Sequence, residues 1–80
     1  MDPAFIADLE YWTRTDRRRA LRTLRLVEDV LRDPFTGAGK PEPLRGELRG
    51  KWSRRIDQEH RLVYEVSNER VYFLAARYHY

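Results

Sequence analysis

The stretch 51-KWSRRIDQEHRLVYEVSNERVYFLAARY-78 decides the fold. Apolar and polar residues alternate in it with the period of two that a half-buried strand shows. Residues 51–57 read as one strand, 60–66 (HRLVYEV) as the next and 71–78 (VYFLAARY) as the last. Gln58–Glu59 is a tight connection, and 67-SNER-70 turns the chain. Connections this short give an antiparallel meander.

The N-terminal half has a different period. Residues 2–12 (DPAFIADLEYW) read as a short helix with Asp2 as N-cap and Pro3 at the first helical position. Phe5, Ile6, Leu9 and Trp12 form its stripe. Residues 14–33 (RTDRRRALRTLRLVEDVLRD) form the second helix, capped by Thr15 or Asp16 and ended by Asp33 before Pro34. Ala20, Leu24, Val27 and Leu31 recur at helical spacing, widened by Leu21 and Val30. Arg17, Arg18 and Arg19 lie in its first turn, where positive charge opposes the helix dipole at a small cost. Residues 34–43 (PFTGAGKPEP) hold two glycines and three prolines and read as a stiff loop without regular structure, with Pro41 and Pro43 bracketing Glu42. The fold class expected is α+β: two N-terminal helices packed on one face of an antiparallel sheet, in a single domain over residues 1–80.

Composition narrows the function. Eighty residues make one small core, and no cysteine is present, which excludes a disulfide scaffold, a thiolate zinc site and a cysteine nucleophile. No apolar run is long enough for a membrane helix and no signal-peptide pattern opens the chain, so a cytoplasmic location is expected. Of the 16 basic residues, all but Lys40 and Lys51 are arginine. Arginine suits bidentate phosphate recognition and stacking on planar rings, and an anionic partner is one reading; an arginine-rich proteome is the other.

No glycine pattern matches a P-loop and no serine sits in a nucleophile elbow. The two histidines, His60 and His79, lack the carboxylate spacing of a metal motif, so no cofactor is expected. His60, beside a turn, reads as structural or simply exposed. What remains is a carboxylate, arginines and a histidine. RNA cleavage by its own 2′-hydroxyl needs a base, an acid for the leaving 5′-oxygen and cations at the phosphate. Glu42, held between prolines, is the candidate base. Arg61, in mid-sheet, is the candidate phosphate clamp. His79 is the candidate acid, since a histidine titrates near about 6.5.

The segments 33-DPF-35, 39-GKPEPL-44, 52-WSRRI-56, 59-EHRLVY-64 and the terminal 77-RYHY-80 resemble the Txe/YoeB family of bacterial toxins, in the RelE superfamily. The likeness runs from about Leu9 to Tyr80. It implies the α+β fold of small microbial ribonucleases and a toxin of a type II toxin–antitoxin pair that cuts mRNA in the ribosomal A site. By the same resemblance the general base falls on Glu42, the transition-state arginine on Arg61, the general acid on His79 and the terminal tyrosine on Tyr80. Arg55 corresponds to an additional site arginine. The partners implied are the 70S ribosome with its mRNA and a YefM-like antitoxin with an acidic tail; a second copy of the chain is a further expectation. The rival class is a basic module that binds RNA or antitoxin without catalysis.

Two structural expectations follow. Family members usually open with a short apolar strand before the first helix, whereas this chain starts almost at that helix, which would leave one sheet edge bare and the free toxin marginally stable. Arg61 and His79 must also meet one phosphate. A regular ladder through the SNER turn pairs 66 with 71, an odd register that puts them on opposite faces. A shared site therefore requires a three- or five-residue loop, a bulge, or a His79 that has left the strand path.

Overall fold

The computed structural model describes residues 1–77; the sequence-nominated His79 and Tyr80, with Tyr78, lie outside the described residues. Helix α1 spans Pro3–Thr15 and α2 spans Arg17–Arg32. Asp2 caps α1, its carboxylate accepting the Ala4 N–H at 2.8 Å. Asp16 does double duty. Its N–H closes α1 on the Trp12 carbonyl at 2.8 Å, and its carboxylate accepts the Arg19 N–H at 3.2 Å to open α2. One extended residue thus separates two helices.

The core face of α2 differs from the expected stripe. Ala20, Val27 and Val30 are buried, but their companions are Thr23 and Leu26, while Leu21, Leu24 and Leu31 are exposed. Thr23 is tolerated inside because its hydroxyl donates to the Arg19 carbonyl at 2.7 Å. A polar residue at 23 and leucines on two sides of the helix hid the true stripe.

Four strands follow: β1 (Glu42–Pro43), β2 (Lys51–Arg55), β3 (Arg61–Ser67) and β4 (Arg70–Ala75), antiparallel in that order. The strand β1 corrects the reading of 34–43 as wholly irregular. Glu42 pairs with Ser53 and Pro43 with Trp52. Proline is acceptable there because an edge strand can spare one N–H. A short 3-10 turn, Gly46–Leu48, links β1 to β2. Strand β2 stops at Arg55, short of the expected 57, and β3 starts at Arg61, after His60. Between them the Asp57 carboxylate accepts the N–H groups of Glu59 and His60, each at 2.8 Å, and the chain turns around it. Two backbone N–H bonds, with Arg19, hold the Asp57 carboxyl below its usual range although burial alone would raise it.

The β3–β4 hairpin closes on Asn68 and Glu69, both at positive φ (49° and 64°), a two-residue primed turn that matches strand twist. Val66 pairs with Val71 as expected, but Val63 pairs with Ala75, because a bulge falls between Val63 and Tyr64. The odd register of the hairpin becomes even beyond it.

Phe5 of α1, Leu26, Val27 and Val30 of α2, and Ile56, Leu62, Tyr64, Phe73 and Ala76 make one core. The rings of Phe5 and Phe73 stand 5.4 Å apart, joining α1 to β4. On the outer side of β4 the Asp2 N–H donates to the Phe73 carbonyl at 2.9 Å.

Candidate functional site

The sheet has two faces. Trp52, Arg54, Leu62 and Tyr64 point toward the helices by the period of two, and the residues between them point away. On the second face Glu42 lies opposite Ser53, and Arg55 opposite Arg61. An Arg61 terminal nitrogen reaches the Glu42 carboxylate at 3.2 Å and the Ser53 hydroxyl at 3.0 Å. The Glu42 side chain is 60% exposed and Arg61 22% exposed, so the pair is open to a ligand while Arg61 has limited freedom. Arg55 is exposed beside it. Two arginines directly across a ladder repel. Their adjacency is the arrangement an anion would relieve.

Glu42 is aimed by a loop that the sheet holds from behind. Arg54, fully buried, donates to Asp29 at 2.7 Å and to the carbonyls of Asp33, Thr36 and Ala38 at 2.6, 2.9 and 3.2 Å. Its Nε donates to the Tyr64 hydroxyl at 3.1 Å, and that hydroxyl donates to the Pro34 carbonyl at 2.7 Å. Burial pushes the Tyr64 phenol up, against the pull of Arg54. Asp29 also accepts the Ala38 N–H at 2.8 Å, which, with Arg32 and Arg54, holds its carboxyl below the usual range. Asp33 is lowered likewise, first by the Phe35 N–H and then by the Thr36 hydroxyl. Gly37, at φ 121°, allows this close approach: a Cβ there would lie 2.1 Å from the Asp29 carboxylate.

Of the nominated residues, Glu42, Arg61 and Arg55 share one face, while His79 and Tyr80 lie outside the described residues. The bulge supplies the even register that a site shared by Arg61 and His79 requires. His60 is buried, its ring edge-on to Trp12 at 4.7 Å, which fits its structural reading. Arg54 and Ser53 were missed. Arg54 carried a signal: it alternates in phase with Trp52 and Ile56, the apolar side of its strand. Among the described residues no group of three or more His, Cys, Asp or Glu is placed to hold a metal ion.

Comparison with known proteins gives one answer. The family described as the YoeB-like toxin of bacterial type II toxin–antitoxin systems matches residues 1–80. Toxin YoeB of Mycobacterium bovis is 56% identical over 79 residues, covering 99% of this chain and 93% of that protein. The solved YoeB/ParE toxin from Agrobacterium tumefaciens superposes with a TM-score of 0.92 at 43% identity, covering both chains fully. Two Staphylococcus aureus structures, a YoeB–YefM complex (34% identical) and a YoeB dimer (35%), each give a TM-score of 0.88 over 99% of this chain and 92% of theirs. The chain belongs to the YoeB-like toxins of bacterial type II toxin–antitoxin systems.

Proposed function

We propose that this toxin is a ribosome-dependent endoribonuclease that cuts mRNA in the A site without a resident metal. The observation that carries the reading is the Glu42–Arg61 pair at 3.2 Å on an exposed sheet face, with Arg55 directly across from Arg61. A base and two cations then stand where one phosphodiester can meet all three.

In the resting protein Arg61 neutralises Glu42. An entering phosphate takes the guanidinium, and the carboxylate is left to accept the 2′-hydroxyl proton. The 2′-oxygen bonds to phosphorus as the bond to the 5′-oxygen breaks. Arg61 and Arg55 stabilise the charge growing on the non-bridging oxygens. His79 protonates the leaving 5′-oxygen, and Tyr80 stacks on a base, whose π face needs no particular sequence. The products are a 2′,3′-cyclic phosphate and a 5′-hydroxyl. The partners are the 70S ribosome with its message, which places the activity in the cytoplasm, and a YefM-like antitoxin whose acidic segment suits this arginine-rich surface. Self-association follows the precedent of the Staphylococcus aureus dimer.

The test is cleavage of ribosome-bound message by the full chain, with the product ends identified chemically and magnesium kept sufficient for the ribosome. Wild type is expected to leave cyclic phosphate ends, and His79→Gln to lose about 10²–10⁴ in rate. A folded wild type that binds ribosomes and never cuts would sink the catalytic reading and leave the non-catalytic module. His79→Gln at the wild-type rate would remove His79 from the acid role.

A further inference from the structure

Strand β4 stops pairing at Ala75, and the next residue turns from the sheet to the first helix. The Ala76 N–H donates to Asp8 Oδ2 at 2.9 Å, and the Ala76 carbonyl accepts from Trp12 Nε1 at 2.7 Å. Arg77 then lays its guanidinium over the Tyr11 ring, 3.6 Å from the centroid. Asp8, Tyr11 and Trp12 stand at i, i+3 and i+4, which is one face of α1. A single helical stripe therefore grips both backbone groups of one residue and the side chain of the next.

The grip is itself braced. Trp12 is 3% exposed, with the His60 ring edge-on at 4.7 Å and the Arg19 guanidinium 4.9 Å from its centroid. Arg19 is fixed in turn by Asp57 at 2.5 Å. Packing alone would be met by phenylalanine at position 12. An indole adds a donor that must find a partner when buried, and here the partner is Ala76. Asp8 is a poor choice for a helix interior on propensity, and its carboxylate makes a charge-assisted bond to the Ala76 N–H.

We propose that Asp8 and Trp12 are positioning residues that fix Ala76 as the anchor from which the catalytic end of the chain departs. The proposal rests on the assignment of His79 as general acid. Chain ends fray unless tied down. An acid three residues beyond a loose strand end would visit the phosphate only occasionally. With Ala76 held at both its N–H and its carbonyl, the point from which the chain continues is fixed by α1, an element outside the sheet that carries Glu42 and Arg61.

The test compares Trp12→Phe, Asp8→Asn and Asp8→Ala in the full chain, by single-turnover cleavage of ribosome-bound message and by backbone ¹⁵N relaxation at residues 77–80. Trp12→Phe keeps the ring packing and is expected to lower the maximal rate about tenfold or more while leaving the half-saturating ribosome concentration within about twofold. Amide order at residues 77–80 falls with it. Asp8→Asn retains an acceptor and keeps most of the rate; Asp8→Ala does not. In a His79→Gln background Trp12→Phe adds no further loss, because the two changes act through one group. An equal loss in both backgrounds, or unchanged order at 77–80, overturns the proposal. Val30→Ala, a core change on α2, is the control. If it loosens residues 77–80 as much as Trp12→Phe does, general softening is the cause and the anchor is not. Should His79→Gln cut at the wild-type rate, the acid assignment fails, and the relaxation comparison still decides whether Asp8 and Trp12 hold the chain end.

Discussion

Arg54 and Arg61 sit on neighbouring strands and leave the sheet in opposite directions. Arg54 is fully buried and makes five hydrogen bonds, to one carboxylate, one phenol and three carbonyls. Arg61 is partly exposed and engages two side chains, both through the same terminal nitrogen. The first guanidinium is satisfied by its own chain and organises the loop that leads to Glu42. The second has donors to offer an incoming phosphate. Identical side chains one rung apart thus divide the work, with structure on the helix side and, in the function proposed above, chemistry on the other.

The sharpest way to break that division is to make the same substitution twice. Arg54→Met leaves the carbonyls of Asp33, Thr36 and Ala38 without the Arg54 donor and takes from Asp29 the buried one of its two arginines. It should cost about 3–5 kcal/mol in denaturant unfolding, enough to prevent folding of a small domain. Arg61→Met should stay within about 1 kcal/mol of wild type. Equal losses at the two positions would erase the distinction.

A smaller effect belongs to Tyr64, whose hydroxyl joins Arg54 to Pro34. Tyr64→Phe should cost about 1–3 kcal/mol, because a buried donor and a buried acceptor each lose their partner. Calorimetry on the two proteins reads this directly.

Acid should lower stability through carboxylates on the Arg54 side and in the turn after β2. Asp29, Asp33 and Asp57 all have folded-state pKa values below the ordinary 3.8. The unfolded chain therefore takes up protons first as pH falls. The stability these groups contribute is complete above 3.8 and is lost as pH drops through their lower folded values. Unfolding free energy followed from pH 7 to 2 should be flat at first and then fall; Asp29→Asn should flatten the fall. At the alkaline end Tyr64, raised above 10.0, makes stability decline as pH rises past that value.

The smallest expected effect on stability is at Glu42. Its ion pair is exposed, so Glu42→Gln should move the unfolding free energy by less than about 1 kcal/mol. A large loss would mean that the pair holds the β1 edge together, and the second face would then be structural as well.

Much of this division is written in local sequence. Asp2 and Asp16 mark helix starts because a short acceptor is needed where backbone N–H groups are unpaired, and Asp33 marks a helix end because the residue before a proline is steered out of the helical region. The strand alternation and the hairpin at 67–70 are equally plain, and the parity of the ladder showed that a regular β4 would separate Arg61 from His79. The bulge, which makes the register even as far as Ala75, was one of three possibilities, because nothing in "VYFLAARY" says where an extra residue will sit. The edge strand Glu42–Pro43 was hidden because its pairing depends on β2 and not on local propensity. Arg54 was passed over because charge usually signals solvent; only the phase of its apolar neighbours reveals that it points inward. On α2 the leucines at 21, 24 and 31 imitate a core stripe that tertiary packing assigns to Thr23 and Leu26 instead.

In the function proposed here, the face carrying Glu42 and Arg61 cuts RNA and contributes little to holding the fold. Single-turnover cleavage of ribosome-bound message by Glu42→Gln and Arg61→Met, on samples whose thermal melts match wild type, tests it most directly. Rates lower by about 10²–10⁴ for Glu42→Gln and about 10²–10³ for Arg61→Met are expected. Folded variants that cut at the wild-type rate would contradict it.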